Sequence, residues 1–159
     1  MSSQTSIRVA GYQSAGSLSG EDDEMLVRKV QRGSLQAFEA LSSRYDRAIL
    51  ALFLHLTACE ADALDLCRAT FLAAYRALAR RKTESLYIWL YQLAAEEWLR
   101  WHAAQSPNQT LSEREQLVFT LKSREQLSLR TVAQIVSEPE AAVARTFSRA
   151  VAKLQAANH

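Results

Sequence analysis

Beyond position 33 this chain has no glycine, and its only prolines are Pro107 and Pro139. An all-β protein needs turn residues about every 8–12 positions, and such punctuation is missing here. Alanine (26) and leucine (22) also far outnumber valine plus isoleucine (12 together), a balance that favours helix over strand. An all-α fold after a loose start is therefore expected. The 159 residues suffice for one ordinary domain or two small ones. The apolar share of 48% is enough for a packed core.

Several classes are excluded at once. The longest apolar stretch, Ala48–Leu54, is far short of the roughly 20 residues that cross a bilayer. The first residues carry one arginine and no apolar run, unlike a secretory signal. Cys59 and Cys67 are too few for a disulfide scaffold and fit a reducing cytoplasm. Spacing alone makes His55-x-x-x-Cys59 a metal candidate, but a structural zinc site needs four ligands, so both thiols read as buried core residues. No glycine-rich phosphate loop and no nucleophile beside a base is present, so neither enzyme chemistry nor a cofactor nor a small-molecule substrate is expected.

Residues 1–20 read as a flexible tail. An acidic cluster, Glu21–Glu24, suits the start of a first helix, which Gly33 ends. Ser34 can cap a second helix with Phe38, Leu41, Tyr45, Ile49, Leu52 and Leu56 in one apolar stripe. A third spans about residues 60–80 with Leu64, Cys67, Phe71, Tyr75 and Leu78 inward, and a fourth about 85–104 with Leu86, Leu90, Leu93 and Trp98 inward. Four helices with short connections predict a bundle over 21–105. A linker at 106–110 precedes a second unit, 111–159. There Thr110 and Glu113 match a capping box that opens a fifth helix through Leu117, Val118 and Leu121, a sixth follows over 128–136, and Ser137–Glu140 matches a second box that starts a last helix ending near Ala156. Two helices about three residues apart, the second bearing cations, form a helix-turn-helix pattern.

The net charge of +2 argues only weakly for a polyanionic partner, but its placement is informative. From Ala141 onward there are three cations, Arg145, Arg149 and Lys153, and no acid. They fall at i, i+4 and i+8, one stripe of a helix. Periodicity alone favours the plainer reading, a solvated face whose cations suit a helix C-terminus.

Four stretches in order resemble the extracytoplasmic-function group of bacterial RNA polymerase sigma factors. They are Asp23–Gly33 continuing into Ala37–Leu41 and Arg44-Tyr45; Ala61–Leu66 with Thr70–Tyr75; Trp89–Ala94; and Leu111–Arg114 with Val118-Phe119, Leu127-Ser128, Ala133–Ile135 and Arg149-Ala150. The likeness covers about residues 22–154. It implies an amino-terminal four-helix bundle like sigma region 2, which grips core polymerase and opens the downstream promoter element. It also implies a small helix-turn-helix domain like sigma region 4 that reads the upstream element. By this resemblance Asp62, Asp65 and Arg68 meet the polymerase; without it they are solvated charges on a helix. The turn Arg80-Arg81-Lys82 and the helix after it correspond to the strand-opening surface. There cations hold phosphates and aromatics stack on bases, with Tyr87, Trp98 and Trp101 as candidates and Trp89 in the core. Trp98 and Trp101 also suit the core. In the last helix Glu140 could accept from cytosine, Arg145 could take guanine, and Arg149 and Lys153 would hold phosphate. Core polymerase, promoter DNA and an anti-sigma protein are the implied partners, in the cytoplasm and with no membrane.

The departures matter too. The fourth helix ends in Glu96, Glu97 and Arg100 where the family usually has an asparagine, an aspartate and several arginines, and carboxylates facing phosphate weaken binding. Ala141, Ala142 and Ala144 read no hydrogen-bond pattern. Only about eight residues separate His102 from Leu111, a reach of about 28 Å at most. The two promoter elements lie more than a turn and a half of duplex apart, on the order of 55–60 Å. A competing reading is thus a sigma-like interaction module that binds core polymerase, an anti-sigma protein or itself without reading promoters.

Overall fold

A computed structural model describes residues 22–81, 85–105 and 110–158. Among them seven α-helices form: α1 Asp23–Gln31, α2 Leu35–Thr57, α3 Glu60–Ala77, α4 Leu86–Ala104, α5 Glu113–Phe119, α6 Leu129–Val136 and α7 Glu140–Ala157. A 3-10 turn, Leu78–Arg80, extends α3, and a π-helical turn, Thr120–Arg124, extends α5. The expected order of four helices followed by a helix-turn-helix is present. The stretch 1–20, expected as a flexible tail, and most of the linker lie outside the described residues.

Local chemistry explains the boundaries. Asp22 caps α1 by accepting from the Met25 amide at 2.8 Å. Gly33, at φ 96°, turns the chain out of α1 in a conformation open to glycine at little cost. Ser34 caps α2 and Ser128 caps α6 through their hydroxyls. The capping box at α5 lies two residues later than expected. Ser112 Oγ accepts from the Glu115 amide (3.2 Å) while Glu115 Oε1 accepts from the Ser112 amide (2.9 Å). Thr110 and Glu113 offer the same pattern, but the Ser112 frame also buries Glu115 beside Lys153. The second expected box is absent. Ser137 instead ends α6 in the left-handed region at φ 58°, and Pro139 precedes α7 with no side-chain cap. Ser137 takes the conformation that a glycine commonly supplies in such a turn.

The α3 stripe is rotated from the expected one. Ala63, Leu66, Thr70 and Ala74 are buried, Leu64, Cys67 and Phe71 sit at the margin, and Tyr75 is exposed. Small side chains on the inner line let α3 approach α2 closely, which pushes the large ones outward. Cys59, expected inside, is exposed at the residue before α3.

Helix α4 is buried nearly all round: Leu86, Ile88, Trp89, Leu90, Tyr91, Ala94, Ala95, Trp98 and His102 are all inaccessible. The first turns of α4, Leu86–Tyr91, are apolar on every side and so must be covered on every side. The bundle covers one side of α4 through α3 and α2, and α6 packs on another. Polar contacts between described residues also cross between the two parts. Gln92 Nε2 donates to the Gln134 carbonyl (2.9 Å) and Gln116 Nε2 to the Leu56 carbonyl (3.1 Å). His55 Nδ1 lies 2.7 Å from Glu125 Oε2, and His102 Nδ1 lies 3.5 Å from Glu113 Oε2. One continuous apolar core consequently runs from Leu26 in α1 to Val143 in α7.

Candidate polymerase and nucleic-acid interface

On the outer face of α3, Asp65 and Arg68 are exposed and Asp62 half-buried. Arg68 Nη1 donates to Asp65 Oδ1 at 3.3 Å, with about three quarters of each side chain in solvent, so the pair contributes little stability. The same stripe continues to Leu72 (49% exposed) and Tyr75 (42% exposed), the latter edge-on to Phe38 with ring centroids 5.0 Å apart. Charged groups beside two uncovered apolar side chains make a surface suited to a protein partner. Leu72 and Tyr75 were missed as surface residues by a stripe read one position out of phase. The alternative line Ala63–Leu66–Thr70–Ala74 was the available signal.

The turn before α4 is less available than its charges suggest. Arg80 is exposed, but Arg81 is ion-paired with Glu24 and its side chain is only 6% exposed. It anchors α1 to the 3-10 turn, which corrects its expected role as a free phosphate contact. Lys82 lies outside the described residues. Tyr87 is half-buried between Tyr45 (6.4 Å) and Tyr91 (5.0 Å between centroids). Burial pushes all three phenols above their ordinary pKa, for Tyr45 with a further push from Asp23, which its hydroxyl bonds. Trp98 is completely buried, its ring 4.7 Å from that of His102, so in this arrangement it fills the core and cannot stack on a base. Trp101 is half-buried against the same core. Arg100 is exposed but ion-paired with Glu97 one turn back, while Glu96 is exposed.

In α7, Glu140, Arg145 and Arg149 are exposed, the two arginines on the side away from the core residues Val143 and Ala150. Arg149 Nη2 donates to Thr146 Oγ1 at 3.3 Å. Lys153 departs from its expected role, because its Nζ donates to Glu115 Oε1 at 2.8 Å and the Glu115 side chain is 7% exposed. Lys153 thereby braces α7 on α5. Phe119 and Phe147 stack at 6.0 Å, and Lys122 lies 5.8 Å over the Phe147 ring.

The Lys153 ammonium, and then the Ser112 amide, hold the Glu115 carboxyl below the usual carboxylate range. A lowered native pKa adds stability above the unfolded-state value and loses it as pH falls through the native one. Glu115→Gln should therefore cost about 1–2 kcal/mol at pH 7, with the gap to wild type closing as pH falls below about 4.5. Urea melts at several pH values read this directly; a gap unchanged to low pH would contradict the assignment.

Residues 41–107 match the family model described as Sigma-70 region 2. Over 78 residues the chain is 38% identical to the RNA polymerase sigma-H factor of Pseudomonas aeruginosa, covering 48% of this chain and 40% of that one. Over 93 residues it is 32% identical to the ECF RNA polymerase sigma-E factor of Haemophilus influenzae, covering 56% and 49%. The matched part thus spans less than half the length of these relatives. A solved structure of CnrH in complex with the cytosolic domain of CnrY shares the fold at a TM-score of 0.68 and 23% identity, covering 84% of this chain and 95% of that one. The matched part of the chain is thus similar to sigma factors, among them one of the ECF group. No helix among the described residues is long and apolar enough to cross a membrane.

Proposed function

We propose that this protein is a cytoplasmic, non-enzymatic sigma subunit that directs core RNA polymerase to promoters. In this reading residues 21–105 and 111–159 act as two modules joined by the short linker. Asp62, Asp65 and Arg68, with Leu72 and Tyr75 beside them, meet the polymerase. Arg80, Tyr87, Trp101 and Arg100 lie toward the downstream promoter element; Glu140, Arg145 and Arg149 lie toward the upstream one. The observation that carries the reading is the order of parts. A Sigma-70 region 2 match is followed by a helix-turn-helix whose second helix keeps exposed arginines and no acid after Glu140. The CnrH complex with the cytosolic domain of CnrY supports an anti-sigma protein as a further partner.

A second reading, polymerase or anti-sigma binding without promoter recognition, is favoured by the exposed Glu96 and the engaged Arg100 on α4. Run-off transcription with purified core polymerase on genomic fragments from the source organism separates the two. A defined start that depends on this protein is expected. Core binding with no start on any fragment, and no salt-sensitive DNA binding, would transfer the conclusion to the second reading.

A further inference from the structure

The first turn of α1 carries two carboxylates, Asp23 and Glu24, that the cap does not use, because Asp22 already accepts from the Met25 amide. Both are committed to distant partners. Asp23 accepts from Arg44 Nη1 at 2.8 Å and from the Tyr45 hydroxyl, both on α2. Glu24 is ion-paired with Arg81, the residue after the exposed Arg80. We infer that α1 is a positioning element for strand binding: Glu24, by holding Arg81 inward, sets the direction in which Arg80 meets a phosphate. This deepens the function proposed above and rests on it.

Three observations carry this. First, α1 is itself fixed where it matters. Asp23, bonded twice to α2, stands next to Glu24 in the chain, so Glu24 acts from a held base. Second, α1 grips the 3-10 turn at two points. Besides the Glu24–Arg81 pair, Gln31 Nε2 donates at 3.3 Å to the Leu78 carbonyl, the same oxygen that accepts from the Arg81 amide at 3.2 Å and closes the turn. Glu24 and Gln31 lie roughly 10 Å apart along the helix axis, so sliding or rotating the turn on α1 breaks one grip or the other. Third, the pair is buried on one side only. The Arg81 side chain is 6% exposed and that of Glu24 59%. Removing Glu24 takes a counter-charge from a guanidinium held out of water, which drives Arg81 toward solvent. Arg81 cannot swing outward without turning the backbone of Arg80 beside it. Neither Glu24 nor Arg81 touches nucleic acid in this scheme.

The turn can be read apart from DNA. In the full chain with Cys59→Ser and Cys67→Ala, a nitroxide on Ala79→Cys reports its mobility by electron paramagnetic resonance. Glu24→Ala should mobilise the label, with circular dichroism confirming that the helices persist. In complex with purified core polymerase, Glu24→Ala and Arg81→Met should each bind a forked single-strand/duplex DNA about fivefold more weakly. The double variant should bind no more weakly than the worse single one. None of the three should change the slope of log affinity against log salt, whereas Arg80→Ala should make it less negative by about 0.7. Glu24→Gln, which keeps an oxygen for Arg81, should recover most of the affinity. A label equally mobile in wild type and Glu24→Ala overturns the inference. So does a mobilised label with forked-DNA binding unchanged or tighter, which leaves a purely structural ion pair. A flatter salt slope in Arg81→Met would return Arg81 to the role of a phosphate contact. A wild type that binds core polymerase but no forked DNA overturns the sigma reading and the strand-binding role together, while the label still decides whether Glu24 fixes the turn.

Discussion

Trp98→Ala should lower the unfolding free energy by about 3–5 kcal/mol, the cost of emptying a large aromatic site in a packed core. Total stabilities of such domains are about 5–15 kcal/mol, so the loss takes a large share of what holds the chain folded. The side chain has no solvent exposure, and its indole nitrogen has no acceptor among the described residues. Trp98→Phe thus sacrifices no hydrogen bond and, leaving a smaller cavity, should cost less than the alanine change, about 1–3 kcal/mol. Because one apolar core joins α1 through α7, urea unfolding followed by circular dichroism should show a single transition displaced in the alanine variant. Two transitions, with only one displaced, would mean that the bundle and the helix-turn-helix melt separately. A variant of unchanged stability that had lost forked-DNA binding would instead return Trp98 to the role of a stacking residue.

The behaviour of Trp98 shows where the sequence is legible and where it is not. Helix number and order could be read because the apolar period of 3.6 is strong in α2 and α6, and because Ser34 and Ser128 cap as their position suggests. Caps failed where two frames competed: Thr110 and Ser112 both precede a glutamate by three residues, and only the tertiary pairing of Glu115 with Lys153 decides between them. The α3 face was misjudged because size and burial disagree there, alanines packing inward while Tyr75 is displaced to the surface. For the candidate site, Asp65, Arg68, Arg145 and Arg149 are exposed as expected. Arg81 and Lys153 are engaged by Glu24 and Glu115, partners 57 and 38 residues away in the chain that no local pattern reveals. One signal was present and unread. The run Leu86–Ala95 is apolar except for Gln92, and a bundle that covers one side of such a helix leaves a second side needing cover. The seam with α6 follows from that run.

The exposed arginines of α7 lead to the second large effect. Arg145→Ala with Arg149→Ala should weaken duplex binding and make the slope of log affinity against log salt less negative by about 1.8, the release expected for two neutralised phosphates. Lys153→Ala provides the internal contrast. Its ammonium is committed to Glu115 at 2.8 Å, so its removal should lower stability and leave the salt slope nearly unchanged. If Arg145 reads a base edge, its single replacement should also relax preference at one position of the site by about 1–3 kcal/mol, whereas Arg149→Ala alone should weaken all sequences alike. Titrations of labelled duplexes at several salt concentrations give the affinities and slopes together. Equal slopes for wild type and the double variant would detach α7 from DNA, leaving the outer face of α3 to carry binding to a protein partner alone.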